Sequence, residues 1–310
     1  MLEVVELTKK FKNKEAVKGI NLYMDKGETV GLLGPNGAGK STTISMISSL
    51  VSPSSGDVRI KNESILKHPE KIRNILGVVP QDIALYMDLS ARENLEFFGR
   101  IHRIKKKDLK VKVEEILDII GLKDREKDLV KTFSGGMKRR LNIGVALLHE
   151  PEIIIMDEPT VGIDPQSRNY ILETVKRLNR EKNMSVLYTS HYMEEVEYLC
   201  DRIYIMDHGE VIAAGAKEEI KSILSSEQAL AIQVEILKGE FLQLVEALPN
   251  IKNISIKDPV ITVIIPKKVN ILNDIFRIAE ETKTNITSIQ IETPTLEDVF
   301  LHLTGRQLRD

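Results

Sequence analysis

Residues 34–42, Gly-Pro-Asn-Gly-Ala-Gly-Lys-Ser-Thr, constrain the fold of this chain more than any other stretch. They satisfy G-x-x-x-x-G-K-[ST]. The short apolar run TVGLLG (29–34) leads in, and KSTTISMISSL (40–50) follows with apolar positions at helical spacing. A glycine loop between a buried strand and a helix turns successive backbone N–H groups inward and adds the positive end of the helix. That is a seat for phosphate. A strand apolar on both faces belongs inside a parallel sheet. Gly34, Pro35, Asn36, Gly37, Ala38, Gly39 and Thr42 are then expected to wrap a nucleotide, with Lys40 near its terminal phosphates and Ser41 offering an oxygen to Mg²⁺.

The rest of that sheet is legible downstream. EIIIMDEP (152–159) and MSVLYTSH (184–191) read as buried strands, separated by helical sequence such as SRNYILETVKRLNREK. Strands alternating with helices imply parallel pairing through crossovers. The first of these strands delivers Asp157, placed to hold the Mg²⁺ shell, and Glu158, able to polarise or deprotonate an attacking water. Upstream, LEVVEL and AVKGINLYM predict an antiparallel sheet. Between about 82 and 150 the chain turns helical and charged, and Ser90 with Glu93 reads as a capping box. The basic run RIKKKDLK reads as a solvated helix face.

After about residue 225 the rhythm changes. ALAIQVEIL, GEFLQLVEAL, NISIKD, VITVIIP, NILNDIFRIAEETK and ITSIQIE follow the order βαββαβ, with TLEDVFLHLTG as one added helix. This predicts a small ferredoxin-like α/β domain. The expected organisation is therefore a domain over 1–225, with a helical subdomain at about 82–150, and a second domain over 226–310.

Composition narrows the function. A net charge of −2, from 44 basic and 46 acidic residues among 310, gives no pull toward nucleic acid. The single cysteine, Cys200, excludes an intrachain disulfide and any multi-cysteine metal site, and reads as a small buried hydrophobe. No apolar run approaches the ~18 residues that a bilayer span needs. Work at a membrane would need a second chain.

Over residues 1 to about 220 the chain resembles an ABC transporter ATP-binding subunit, with the motifs in family order. Gln81 in VVPQD resembles the Q-loop glutamine, Ser134-Gly135-Gly136 the signature loop, Asp164 in GIDP the D-loop aspartate, and His191 the switch histidine. Phe11 is similar to the aromatic residue that stacks on adenine. The resemblance implies a P-loop NTPase core with an antiparallel β subdomain and a helical subdomain. It implies ATP and Mg²⁺ as ligands, with Ser41, Gln81 and Asp157 at the metal and Glu158, His191 and Gln81 in catalysis. It also implies a head-to-tail dimer, of identical or similar subunits, in which Ser134, Gly135 and Gly136 face the partner's ATP. Two departures stand out. Phe133 and Met137 flank Ser-Gly-Gly where leucine and glutamine are usual, and Val161-Gly162-Ile163 precede Asp164.

The ending TPTLEDVFLHLTGRQLRD resembles drug-resistance and multidrug-export ATP-binding subunits. A separate transmembrane permease is implied, docking near Gln81 with Ile83, Leu85 and Tyr86 as apolar anchors, and with it a cytoplasmic place on the inner face of the membrane. The competing class is a soluble ABC ATPase of translation or DNA repair. Its marks, tandem cassettes, a long coiled-coil insertion or zinc cysteines, are not in the sequence. Asp157, Glu158, Gln81 and His191 together disfavour a nucleotide-gated regulator.

Overall fold

The computed structural model describes residues 1–12, 14–70, 74–224, 226–292 and 294–305. They form two compact units, the first running Met1–Ala214 and the second starting at Gly215.

The first unit opens with the strands β1 (Leu2–Phe11) and β2 (Lys14–Met24), then β3 (Thr29–Leu33), helix α1 (Lys40–Ile47), β4 (Ser55–Ile60), β5 (Glu63–Ser64) and β6 (Leu76–Val79). A helical stretch follows, α2 (Ala91–Ile101), α3 (Lys106–Ile119) and α4 (Gly135–Leu147). The chain returns through β7 (Ile153–Met156), α5 (Pro165–Lys182), β8 (Ser185–Tyr188), α6 (Met193–Leu199), β9 (Arg202–Asp207) and β10 (Glu210–Ala216).

Two sheets result. One is antiparallel in the order β2-β1-β4-β5, and the other has the order β10-β9-β3-β8-β7-β6. In the second, β3 is parallel to both β8 and β9, and β7 to both β6 and β8. Every residue of β3, β7 and β8 is buried, which is why these segments read as continuous apolar runs instead of alternating ones. Helix α1 has apolar positions on its sheet-facing side, and Ile44, Met46 and Ile47 share a core with Leu7 and Val58 of one sheet and Leu32 and Ile155 of the other. The phosphate loop is thereby held between two rigid layers.

Local caps fix where helices begin. Ser90 accepts from the Glu93 N–H while the Glu93 carboxylate takes the Ser90 N–H, the reciprocal box the sequence predicts. Asp164 caps α5, with Pro165 in its first turn, and Asn183 ends that helix with φ 51°. Cys200 is buried, and no described helix is long and apolar enough to cross a membrane.

The second unit contains α7 (Lys217–Ser222), β11 (Glu227–Val234), α8 (Gly239–Glu246), β12 (Asn253–Lys257), β13 (Val260–Pro266), α9 (Leu272–Glu281), β14 (Ile286–Glu292) and α10 (Leu296–Thr304). Its sheet order is β12-β13-β11-β14 with antiparallel neighbours throughout, the interleaved ferredoxin-like pattern. Alternate residues of β11 and β13 pack with Phe241, Val245 and Ile275 from α8 and α9. The unit starts ahead of residue 225, where the sequence rhythm changes, because α7 packs against α10.

Candidate functional site

The loop 34–42 runs from the carboxyl end of β3 into the start of α1, and its residues 36–42 form one side of a cavity of about 580 Å³. Two glycines there are sterically required. A Cβ on Gly34 would sit 2.4 Å from the Met206 carbonyl oxygen, and Gly39, with φ 106°, has the Ala16 carbonyl 2.6 Å from the same position. Only glycine lets the backbone pass this close. Lys40 is 5% exposed, and its Nζ donates to the carbonyls of Gly34 and Pro35 at 2.6 and 3.2 Å. Burial lowers its pKa, against which the carboxylates of Glu158 and then Asp157 favour the charged form. The ammonium is thus set in place by its own loop.

Opposite the loop, the end of β7 presents two buried carboxyls. Asp157 accepts from the Thr189 hydroxyl at 2.8 Å and is hydrogen-bonded to Ser41. Burial pushes its pKa up; the Thr189 hydrogen bond pulls it down, and the Glu158 charge pushes it up again. Glu158 lies 2.5 Å from His191 Nε2 through Oε1 and accepts from Gln81 Nε2 at 2.9 Å through Oε2. Burial raises the Glu158 pKa, but the His191 hydrogen bond and charge, with Lys40 behind them, outweigh it and leave a net depression. Glu158 is therefore held ionised. Its φ of 48° places a residue that precedes proline in the left-handed region, a strained geometry of the kind found at working sites.

The structure brings Asn36 to Thr42, Gln81, Glu158 and His191 around this one cavity, with Phe11 at its rim. Phe11 is 48% exposed, so it is no core residue. Gly34 and Pro35 hold Lys40 from behind the wall, and Asp157 lies beneath it, 8% exposed.

Ser134, Gly135, Gly136 and Asp164 are not in the lining of that cavity. Ser134 caps α4 by accepting from the Met137 N–H at 3.2 Å, so Met137 serves the loop through its backbone. Phe133 is buried and keeps the apolar role of the usual leucine. Gly136 packs hard on the start of α5: a Cβ there would fall 2.0 Å from Ser167 Oγ. Asp164 accepts from the Ser167 N–H at 2.8 Å, and that backbone hydrogen bond is the main cause of its lowered pKa. The segment Val161-Gly162-Ile163 turns through Gly162 at φ 74°, and Val161 reaches the cavity beside the loop.

Three positioning groups escaped the sequence reading. Thr189 holds Asp157 from a strand end that is 32 residues away. Arg139, 5% exposed on α4, donates to the carbonyls of Pro80 and Gln81 at 2.9 and 2.6 Å, pinning the Gln81 loop to the helical layer. Asn94 takes the Tyr86 N–H and donates to the carbonyls of Tyr86 and Ser90, ordering the loop that follows. An arginine and an asparagine at core spacing within helical patterns are the signal that could have found Arg139 and Asn94; nothing in the sequence marks Thr189.

Residues 17–161 match the sequence profile of a family described as ABC transporter, and residues 215–304 match one described as ATP-binding protein DrrA1-3-like, C-terminal domain. The chain is 47% identical to a linearmycin resistance ATP-binding protein of Bacillus subtilis (strain 168) over 100% of both chains. It is 34% identical to a daunorubicin/doxorubicin resistance ATP-binding protein of Streptomyces peucetius over 100% of this chain and 94% of that one. Among solved structures, a dimeric ATP-binding cassette in a post-hydrolysis state with ADP and Pi superposes with a TM-score of 0.64 at 28% identity, covering 70% of this chain and 98% of that one. CbiO1 from Clostridium perfringens, part of an ABC transporter complex, gives 0.66 at 29% identity, covering 72% and 92%.

Proposed function

Since the chain belongs to the ABC transporter ATP-binding proteins, we propose that its cavity hydrolyses ATP to drive export of a drug-like amphiphile through a separate permease. The observation that carries the catalytic half is the convergence of Lys40, Asp157, Glu158, His191 and Gln81 on the phosphate loop. The export half rests on the full-length likeness to antibiotic-resistance ATP-binding proteins.

The donor set suits Mg²⁺. Ser41, Gln81 and Asp157 offer hard oxygen atoms, the Ser41 hydroxyl already sits on the Asp157 carboxyl, and one carboxylate suffices for a cation that shares its coordination with phosphates. When bound, the ion neutralises charge on the transferring phosphoryl group. Backbone N–H groups at the start of α1 offer donors to phosphate oxygens, and Lys40 adds a fixed positive charge. Phe11 offers a face for the adenine. Glu158, kept ionised, takes the proton of the attacking water, and His191 and Gln81 fix the direction of its carboxylate.

Ser134 and the first N–H groups of α4 form a second anion seat outside this cavity, which fits a head-to-tail dimer where each chain completes the other's site. A permease helix docks beside Gln81: of the anchors expected from the sequence, Tyr86 is exposed while Ile83 and Leu85 are half-buried, and Met87, Phe97 and Leu129 add exposed apolar surface, with Tyr86 and Phe97 edge to face at 4.7 Å. On this reading the subunit works at the cytoplasmic face of the cell membrane, held there by its partner.

Glu158→Gln tests the reading. The amide keeps the shape but not the basicity, so ATP binding persists, turnover falls by about 10²–10⁴, and an ATP-bound dimer accumulates in sedimentation. Wild-type turnover by this variant would remove Glu158 from the role of base.

A further inference from the structure

Beside the nucleotide cavity, and not lining it, lies a carboxylate that neither the motifs nor the mechanism above uses. Glu195, in α6, is 2% exposed. Its Oε2 accepts from three buried hydroxyls: Thr160 at 2.8 Å, Tyr188 at 2.9 Å and Ser190 at 2.6 Å. On the other side Oε1 faces Arg168 Nε at 3.4 Å, an ion pair outside hydrogen-bonding geometry, and the Arg168 guanidinium stacks 3.9 Å from the centroid of Tyr192.

The origin of these partners gives the cluster its meaning. Thr160 follows Glu158 and Pro159, Ser190 and Tyr192 flank His191, and Arg168 sits on α5 one turn after Asp164. A carboxylate this deep is costly to desolvate, and a well-packed apolar residue would serve the core as well or better. What the carboxylate does that an apolar residue cannot is gather hydroxyl donors from separate segments onto one oxygen.

We propose that Glu195 is a positioning residue for ATP hydrolysis, clamping the segment that carries His191 to the segment that carries Glu158. The 2.5 Å contact between His191 and Glu158 is then set by the buried clamp and not by the two loops alone. Arg168 extends the clamp to α5, so the loop holding Asp164 and the switch histidine move as one body. The inference rests on the catalytic roles given to Glu158 and His191 above.

The test uses the full chain and compares Glu195→Gln, His191→Ala and the double variant by ATPase rate, ATP affinity and melting temperature. The Glu195→Gln amide keeps one oxygen for the hydroxyls and loses the charge facing Arg168. Turnover should fall about tenfold to a hundredfold, the scale of a small misplacement at a reacting centre, with ATP affinity unchanged. The double variant should turn over no slower than His191→Ala, because the clamp acts through the histidine. Multiplying losses, wild-type turnover in Glu195→Gln, or a parallel loss of ATP binding would each overturn the proposal. If Glu195→Gln does not fold, Thr160→Val and Ser190→Ala report instead: each should lower turnover at unchanged ATP affinity and add no loss to His191→Ala, and wild-type turnover in both would refute the clamp. Full activity in His191→Ala would refute the catalytic reading itself and the clamp with it.

Discussion

Gly136→Ala separates two reasons for a glycine in the loop that opens α4. The added Cβ would lie 2.0 Å from Ser167 Oγ and 2.4 Å from Ser167 Cβ, where ordinary contacts begin at 3.4 Å. The α4 and α5 termini would have to separate by more than an ångström or twist locally, and overpacking of this kind costs about 1–3 kcal/mol. Alanine's better helix propensity offsets up to about 1 kcal/mol of that. For a domain of this size each kcal/mol is worth about 2–4 °C, so the melting temperature of the purified protein should fall by several degrees. Ser167→Gly removes the obstructing atoms while the Ser167 N–H bond to Asp164 can remain, since it is a backbone donor. The double variant Gly136→Ala/Ser167→Gly should therefore recover most of the lost stability by calorimetry. A melting temperature for Gly136→Ala equal to wild type, or a loss that Ser167→Gly does not reverse, would refute the packing argument. ATPase rates on the same samples then isolate the anion role: restored stability with lost cooperative hydrolysis means that the partner's nucleotide also needs the bare backbone.

Two further outcomes follow from buried titratable groups. Burial raises the Asp157 pKa above its unfolded value, so its ionisation at neutral pH costs the fold stability; Asp157→Asn should raise the melting temperature of the nucleotide-free protein and abolish the extra stabilisation by Mg²⁺-ATP, both read in one thermal-shift experiment. His149, stacked on His102 at 4.2 Å and touching the Leu76 carbonyl, has its pKa pushed by burial from 6.5 to about 4, with the neighbouring His102 adding to the shift. Its folded pKa lies below the unfolded one, so the contribution is intact above 6.5 and is lost as pH falls toward about 4. With screening allowed for, the loss is about 1–3 kcal/mol, and His149→Gln should flatten this acid-side decline in urea melts.

What could be read from the sequence was local. The phosphate loop is a contiguous pattern whose neighbours in the chain are its neighbours in space. The same holds for the Ser90–Glu93 box and for Asp157 and Glu158 at the end of an apolar strand. The alternation βαββαβ also carried the ferredoxin-like sheet, since each crossover in it is short. The supporting groups were invisible for the opposite reason. Arg139 meets Gln81 across 58 residues, and Thr160 meets Glu195 across 35. Nothing in the composition near either end marks the other. Gly136 is a third case: the sequence assigns it to anion binding, and only the approach of α5 reveals its steric task.

The bond from Arg139 to the Gln81 carbonyl has a mechanical consequence. Gln81 follows β6 in the chain and by that measure belongs to the parallel sheet, as Glu158 does after β7. By its attachment it belongs to α4. A tilt of α4 would carry the Gln81 backbone with it through the Arg139 bond as if on a crank, while Glu158 would stay with the sheet, and the 2.9 Å contact between them would be the joint that opens. A push of a few ångströms on the outside of the helices is thus geared into the making or breaking of a single hydrogen bond at the reacting centre. The chain has built a lever with its fulcrum at a guanidinium.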